Sequence, residues 1–284
     1  MSTCASSTAS EPAYYGLAAT YKHTAEHKTY LISLKEDWNN RTLNAQYIVS
    51  DASGLTCQAL FVDRKQNTVY VWGGQLSADG HTKDTQYNPF YNDRLPEVWA
   101  LSVKPDASGS WVKVVGKNAP TPMPENFQQL ACGAYAYDNE GGYYIGGQIS
   151  HWTTLEISNF TQYFGVPGLV KFDFDTKQIT NTTNDGQFFA SRNTGLKEPH
   201  EIPGPLLNIP FGPNGTLVSI GGRQYPNATD DDFGSGWSNL WIYDKQKNRS
   251  YHQPITGDPP RLGLEPDKLA FFSAFDEKNK TFEM

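Results

Sequence analysis

The chain has 284 residues, 38% of them hydrophobic and 13% aromatic, with a formal charge of −7. That apolar content excludes general disorder, and the length suffices for one large core or two small ones. No cluster of Lys and Arg interrupts the acidic balance, which excludes a nucleic-acid partner. The longest apolar run, LAFFSAF (269–275), is far too short to span a bilayer.

With 16 Tyr, 15 Phe, 25 Gly and 18 Pro but only 19% charged residues, the composition favours strands and turns over helices. No long stretch repeats apolar residues at i, i+3, i+4 and i+7, so the expected class is all-β.

In chain order, residues 1–12 (MSTCASSTASEP) carry neither a basic n-region nor an apolar h-region. They read as a disordered segment with no visible signal peptide. AYYGLAATY (13–21) and YLISLKEDW (30–38) read as strands of an incomplete unit over 13–50, with Trp38 opening a further strand. The next unit, 55–116, starts with CQALFVD (57–63), turns at RKQN, and continues as TVYVWGG (68–74). EVWALSV (97–103) and WVKVV (111–115) supply its third and fourth strands, with DASGSW (106–111) as a polar hairpin turn.

The same order recurs over 130–184 as ACGAYAYD, GYYIGG, GLVKFDFD and ITNTT, and over 204–256 as GPLLNIPF, TLVSIGG, NLWIYD and SYHQPI. A last hairpin occupies 268–284, where Asp276 matches Asp63 and Asp138. Gly74 and Gly147 lie 73 residues apart, and Gly147 and Gly222 lie 75 apart. A four-stranded antiparallel unit at a fixed period is the sequence form of a β-propeller blade. The expectation is a propeller over 13–284 with about three full blades and two partial ones. Gly-Gly at the end of each second strand signals close backbone approach or a positive φ.

Strand, Gly-Gly, a later apolar strand and an aromatic in the fourth strand resemble the kelch repeat. More narrowly, TYLISLKEDW, PNGTLVSIGG and NLWIYDKQKNRSYHQPITGDPP resemble fungal kelch-type proteins grouped with the galactose oxidase central domain. The likeness spans roughly residues 14–284. It implies six or seven blades, hence further chain after Met284, although the period here exceeds the usual kelch repeat of about 50 residues.

The oxidase relationship would imply a copper site of two His, two Tyr and a thioether-linked Cys. The six histidines (His23, His27, His81, His151, His200, His252) fall in non-equivalent loops, so that set is not carried over and no metal or cofactor is expected. No G-x-S-x-G elbow suggests a nucleophile. Asp230, Asp231 and Asp232 read as a solvated acidic loop rather than a calcium site.

Long loops follow the second strand of each full unit, at 75–96, 148–167 and 223–238. Loops after equivalent strands emerge at one end of a propeller. Gln75, Gln148 and Arg223 occupy equivalent places there, and Trp152 and Trp237 add aromatic surface. Such a face suits a protein or carbohydrate ligand; the competing reading is that its aromatics pack the loops onto the blades.

Seven Asn-X-Ser/Thr sequons, at Asn40, Asn159, Asn181, Asn214, Asn227, Asn248 and Asn279, exceed the chance expectation and point to a secreted or cell-surface protein. Cys57 and Cys132 start equivalent inner strands, close enough for a disulfide if within the ~7 Å Cα limit, or otherwise two buried thiols. The functional expectation is a non-enzymatic binding scaffold. The alternatives are an oxidase-like enzyme with its catalytic residues outside this chain, and a truncated gene product without function.

Overall fold

The computed structural model describes residues 3–4, 16–17, 29–32, 45–48, 55, 57–74, 96–104, 108–125, 127, 129–131, 133–149, 164–165, 168–181, 200–203, 205–220, 222–225, 234–235, 239–254, 256, 274–276 and 281–283. Their regular structure is entirely β. The strands, in order, are β1 (Thr3–Cys4), β2 (Gly16–Leu17), β3 (Thr29–Ile32), β4 (Ala45–Ile48), β5 (Ala59–Asp63), β6 (Thr68–Trp72), β7 (Val98–Val103) and β8 (Gly109–Val115). They continue with β9 (Ala134–Tyr137), β10 (Gly141–Ile145), β11 (Gln148–Ile149), β12 (Phe164–Gly165), β13 (Leu169–Asp173) and β14 (Ile179–Asn181). The last are β15 (His200–Pro203), β16 (Leu206–Ile209), β17 (Thr216–Ile220), β18 (Gly222–Tyr225), β19 (Gly234–Ser235), β20 (Asn239–Asp244), β21 (Arg249–Pro254), β22 (Ala274–Asp276) and β23 (Thr281–Glu283).

Four antiparallel sheets have four strands each: β1-β2-β3-β4 (sheet I), β5-β6-β7-β8 (sheet II), β9-β10-β13-β14 (sheet III) and β16-β17-β20-β21 (sheet IV). Each is a meander, the blade topology expected from the repeat. Sheet I takes its first strand from Thr3–Cys4, paired with Gly16–Leu17. Both residues fall within 1–12, which the sequence alone reads as a disordered segment. The terminal hairpin pairs Asp276 with Thr281, the register in which β5–β6 pairs Asp63 with Thr68.

Burial explains why the middle strands are so apolar. β6 and β10 are buried at every position, whereas outer strand β8 alternates exposed and partly exposed residues over Gly109–Lys113 and is buried only at Val115. A strand buried on both sides needs a sheet on each face. One core joins Phe61, Tyr70, Trp72 and Ala100 of sheet II to Tyr144, Val170, Phe172 and Ile179 of sheet III. A second joins Ala136, Tyr143, Ile145 and Leu169 of sheet III to Leu206, Leu217 and Tyr243 of sheet IV. A smaller cluster sets Ile48 of β4 against Val69 and Leu101 of sheet II. The sheets therefore stack face to face in chain order, as blades do. First strand β9 lies beside both β5 and β16, which puts the first strands together on the inside.

Aromatic pairs fill the interface of sheets II and III. Tyr70 meets Phe172 edge-on at 5.0 Å and stacks on Phe174 at 5.2 Å. Such pairs add roughly 0.5–1.5 kcal/mol each beyond the area they bury. Gly142 makes room for this packing: a Cβ there would lie 2.3 Å from Phe61 Cγ.

The turns between strands share one device. Asp63 Oδ1 accepts from the amides of Lys65 and Gln66, Asp173 Oδ1 from Asp175 and Thr176, and Asp244 Oδ1 from Gln246 and Lys247. Four residues after each aspartate the chain turns left-handed, at Asn67 (φ 48), Lys177 (φ 60) and Asn248 (φ 51). The side-chain carboxylate satisfies the turn amides, and the left-handed residue returns the chain to the next strand.

Candidate functional site

The meander separates two ends. Turns between first and second strands, and between third and fourth, lie at one end. The glycine pairs and the long loops lie at the other.

At the Gly-Gly end of sheet II, Gly73 has φ +72, and a Cβ on it would sit 2.5 Å from the Leu130 carbonyl oxygen. The Gly74 amide donates to that same oxygen at 2.7 Å. Both reasons inferred for the glycine pair, close approach and positive φ, thus hold at this position. Gln129 Nε2 donates to the Gly74 carbonyl at 3.1 Å, and Gln58 Nε2 to that of Gly73 at 3.4 Å. Trp72 Nε1 and Gln129 Oε1 are buried with no hydrogen-bond partner among the described residues.

Beyond the glycines of sheets III and IV the chain stays extended. Gln148–Ile149 pairs with Phe164–Gly165, so the loop of sheet III returns on itself as a short ribbon. Gly222–Tyr225 pairs on one side with His200–Pro203 and on the other with Gly234–Ser235, a three-stranded ribbon. Strand β12 lies beside β15, so the ribbons of neighbouring sheets adjoin. Of the expected face, Gln148 opens β11 and Arg223 is second in β18, in matching extensions of adjacent sheets. Gln75, Trp152 and Trp237 lie outside the described residues. Sequence reading did not find the ribbons. Their two- and four-residue strands are too short to show a period.

The opposite end carries a repeated electrostatic contact between blades. Lys245 Nζ, after β20, reaches Asp138 Oδ2 of sheet III at 2.7 Å and Asn208 Oδ1 of its own sheet at 2.8 Å. It also lies 5.1 Å from the ring centroid of Tyr143, whose hydroxyl donates to Asp138 Oδ2 at 2.9 Å. Burial pushes the Asp138 carboxyl up. The Lys245 hydrogen bond, the Glu140 amide and the Tyr143 hydroxyl outweigh it and hold the group below the usual carboxylate range. Tyr143 is pushed well above its ordinary value by burial and then by the Asp138 charge.

One interface back, the same positions differ. Register places Tyr70 where sheet III has Tyr143, and Asp63 where it has Asp138. The counterpart of Lys245 is Phe174, which stacks on Tyr70. Lys177 arrives instead from the left-handed turn position, donating to the Tyr70 hydroxyl at 2.6 Å and lying 4.8 Å from its ring centroid. Asp63 Oδ2 is left buried without a hydrogen-bond partner among the described residues. Tyr70 is pushed up to about 12 by burial and by Asp63, while burial pushes Lys177 down. These triplets hold blades together and sit at the end away from the long loops.

Three sequons fall on described residues. Asn181 is exposed at the end of outer strand β14, and Asn214 is exposed in the turn between β16 and β17. Asn248 is exposed too, but its Oδ1 accepts from the Tyr243 hydroxyl. Asn40, Asn159, Asn227 and Asn279 lie outside the described residues. Cys57 is exposed rather than buried, because its φ of 58° turns the chain before β5 begins at Ala59. Cys132 lies outside the described residues, as do Asp230, Asp231, Asp232, His23 and His27. No group of three or more His, Cys, Asp or Glu among the described residues could hold a metal ion. No helix among them is long and apolar enough to cross a membrane.

No protein-family model matches the chain, and no curated protein matches it. The solved structure of YjhT is similar over 81% of this chain, at 14% sequence identity and a TM-score of 0.42. The chain spans 60% of YjhT's length.

Proposed function

We propose that this chain is a non-enzymatic scaffold of the kelch-repeat propeller kind, secreted or displayed at a fungal cell surface, that takes a protein or glycan ligand at its Gly-Gly end. The observation that supports this most is the division of labour between the two ends. The Asp–Tyr–Lys contacts at one end are consumed in joining blades. At the other, adjacent sheets extend into adjoining β ribbons that include Gln148 and Arg223. Binding residues concentrate on loops held by a rigid scaffold. The sequon excess supports the compartment.

The test is to present the intact chain to a glycan array and a panel of cell-surface ectodomains, beside variants Arg223→Ala, Trp152→Ala and Trp237→Ala. Saturable binding weakened by these changes, at unchanged melting temperature, is the expected result. Stoichiometric copper with peroxide-producing alcohol oxidation would replace the scaffold by an oxidase.

A further inference from the structure

Of the chain's 19 asparagines, only Asn214 precedes a glycine. It stands with Pro213 at the centre of the turn between β16 and β17, which closes where the Gly215 amide donates to the Gly212 carbonyl at 3.3 Å. Gly212, Pro213 and Asn214 are exposed, so water reaches the Asn214 side-chain amide. Gly215 is placed differently. It has φ +71, and a Cβ there would meet Asn208 Oδ1, the Ile209 carbonyl oxygen and Lys245 Nζ, each at 3.2 Å. Two of these neighbours join blades. Asn208 Nδ2 donates to the Tyr137 carbonyl at 3.4 Å, and Lys245 Nζ to Asp138 Oδ2 at 2.7 Å, both across the interface of sheets III and IV.

We propose that Asn214–Gly215 is a self-modifying site: Asn214 deamidates through a succinimide, with water as the co-reactant, and the product loosens the Lys245 contact between sheets III and IV. The Gly215 backbone nitrogen attacks Asn214 Cγ. An N–Cγ bond forms, the bond from Cγ to the side-chain nitrogen breaks, and the backbone amide proton leaves with that nitrogen as ammonia. Water then opens the imide at either carbonyl, giving aspartate or isoaspartate at position 214. Glycine has no Cβ to shield the attacking nitrogen. The hydrogen bond that holds this nitrogen is longer than the usual range. The product carries a new carboxylate, and its isoaspartate form lengthens the backbone by a methylene group. Gly215 has no spare room on the side of Asn208 and Lys245, so the longer backbone pushes against both. The new charge also competes with Asp138 for the Lys245 ammonium. The same reaction removes the acceptor amide of the Asn-Gly-Thr sequon. None of this depends on what the Gly-Gly end binds.

The experiment ages the full-length chain, made in a host that adds no glycan, in mildly alkaline buffer. Peptide mapping by mass spectrometry follows every asparagine, and an isoaspartyl methyltransferase counts isoaspartate. Conversion at Asn214 should outpace that at any other asparagine at least ~10-fold, because only there does the attacking nitrogen belong to a glycine. It should slow in mildly acidic buffer, where less of the amide is deprotonated, and stop in Asn214→Gln, whose longer side chain closes the ring far less readily. Anion exchange separates the aged form by its extra negative charge. That form should unfold at lower urea than the fresh chain, and the gap should narrow in a Lys245→Met background. Thermal melting shows whether Lys245→Met folds; if it does not, Asp138→Asn takes its place. An Asn214 peptide that keeps its mass, or that converts no faster than other asparagines, overturns the site. An aged chain as stable as the fresh one, or a gap that both backgrounds leave unchanged, overturns its coupling to the blades.

Discussion

Lys245 and Asp138 stand 107 residues apart in sequence and meet at 2.7 Å across the interface of sheets III and IV. Lys245 is 7% exposed and Asp138 16%, so the pair is largely dry. Removing one partner strands the other as a buried charge. Asp138→Asn should therefore cost about 2–4 kcal/mol in urea unfolding. Asp63→Asn provides the contrast, because Asp63 Oδ2 has no hydrogen-bond partner to lose among the described residues. It keeps an acceptor for the turn amides and should change stability by under about 1 kcal/mol in either direction. Equal costs for the two variants would contradict the difference drawn between the interfaces.

Gly142→Ala drives a methyl group into the Phe61 ring across the interface of sheets II and III. Overpacking of this kind costs about 1–3 kcal/mol. Phe61→Leu in the Gly142→Ala background should recover part of that loss, although Phe61→Leu alone is destabilising. Additive losses in the double variant would rule out the contact.

Stability should fall on the acid side. Asp138, Asp173 and Asp244 are all held below the ordinary 3.8 by hydrogen bonds and lysines that outweigh burial, or, at Asp244, chiefly by the Lys247 amide. A depressed carboxylate contributes stability that is fully present above its unfolded pKa and lost as pH falls through the folded one. The urea midpoint should hold down to roughly pH 4 and decline steadily below it, with Asp138→Asn flattening part of the decline. On the alkaline side Tyr70, raised to about 12, has the opposite sign. Its contribution is lost as pH climbs from 10 toward 12. Acid unfolding that starts near pH 6 would point to other groups.

Much of the fold was legible because the repeated units announce themselves by burial. NLWIYD, read as a strand over 239–244, is a strand over those residues. The innermost strand of sheet II was read two residues too long, since nothing in the letters shows that Cys57 takes a positive φ. Asp63 and Asp138 were seen to match, but the rest of the turn motif went unread. It is an aspartate followed four positions later by Asn67, Lys177 or Asn248, and that spacing was available in the sequence. The Asp–Tyr–Lys contacts were not available, because which lysine meets which tyrosine depends on the stacking of sheets. The three-stranded ribbon was hidden for a similar reason: only the register pairs His200–Pro203 with Gly222–Tyr225 and Arg223 with Ser235.

If the chain follows the secretory route, expression behind a signal peptide should give glycoforms that an endoglycosidase collapses. Asn181→Gln and Asn214→Gln should each remove one mobility step with little effect on melting, since both residues are exposed. Asn248→Gln should in addition lower the melting temperature, because the Tyr243 hydroxyl loses its acceptor at a left-handed turn position. A single unshifted band would argue against the compartment.

The stacking of consecutive sheets underlies both the blade architecture and the shared Gly-Gly end, and a double-mutant cycle on Asp138→Asn and Lys245→Met tests it directly. If sheets III and IV pack as described, the double variant should be at least about 1 kcal/mol more stable than the sum of the single losses predicts. Losses that add to within about 0.3–0.5 kcal/mol would mean that the two residues do not meet, and that these sheets are not neighbouring blades.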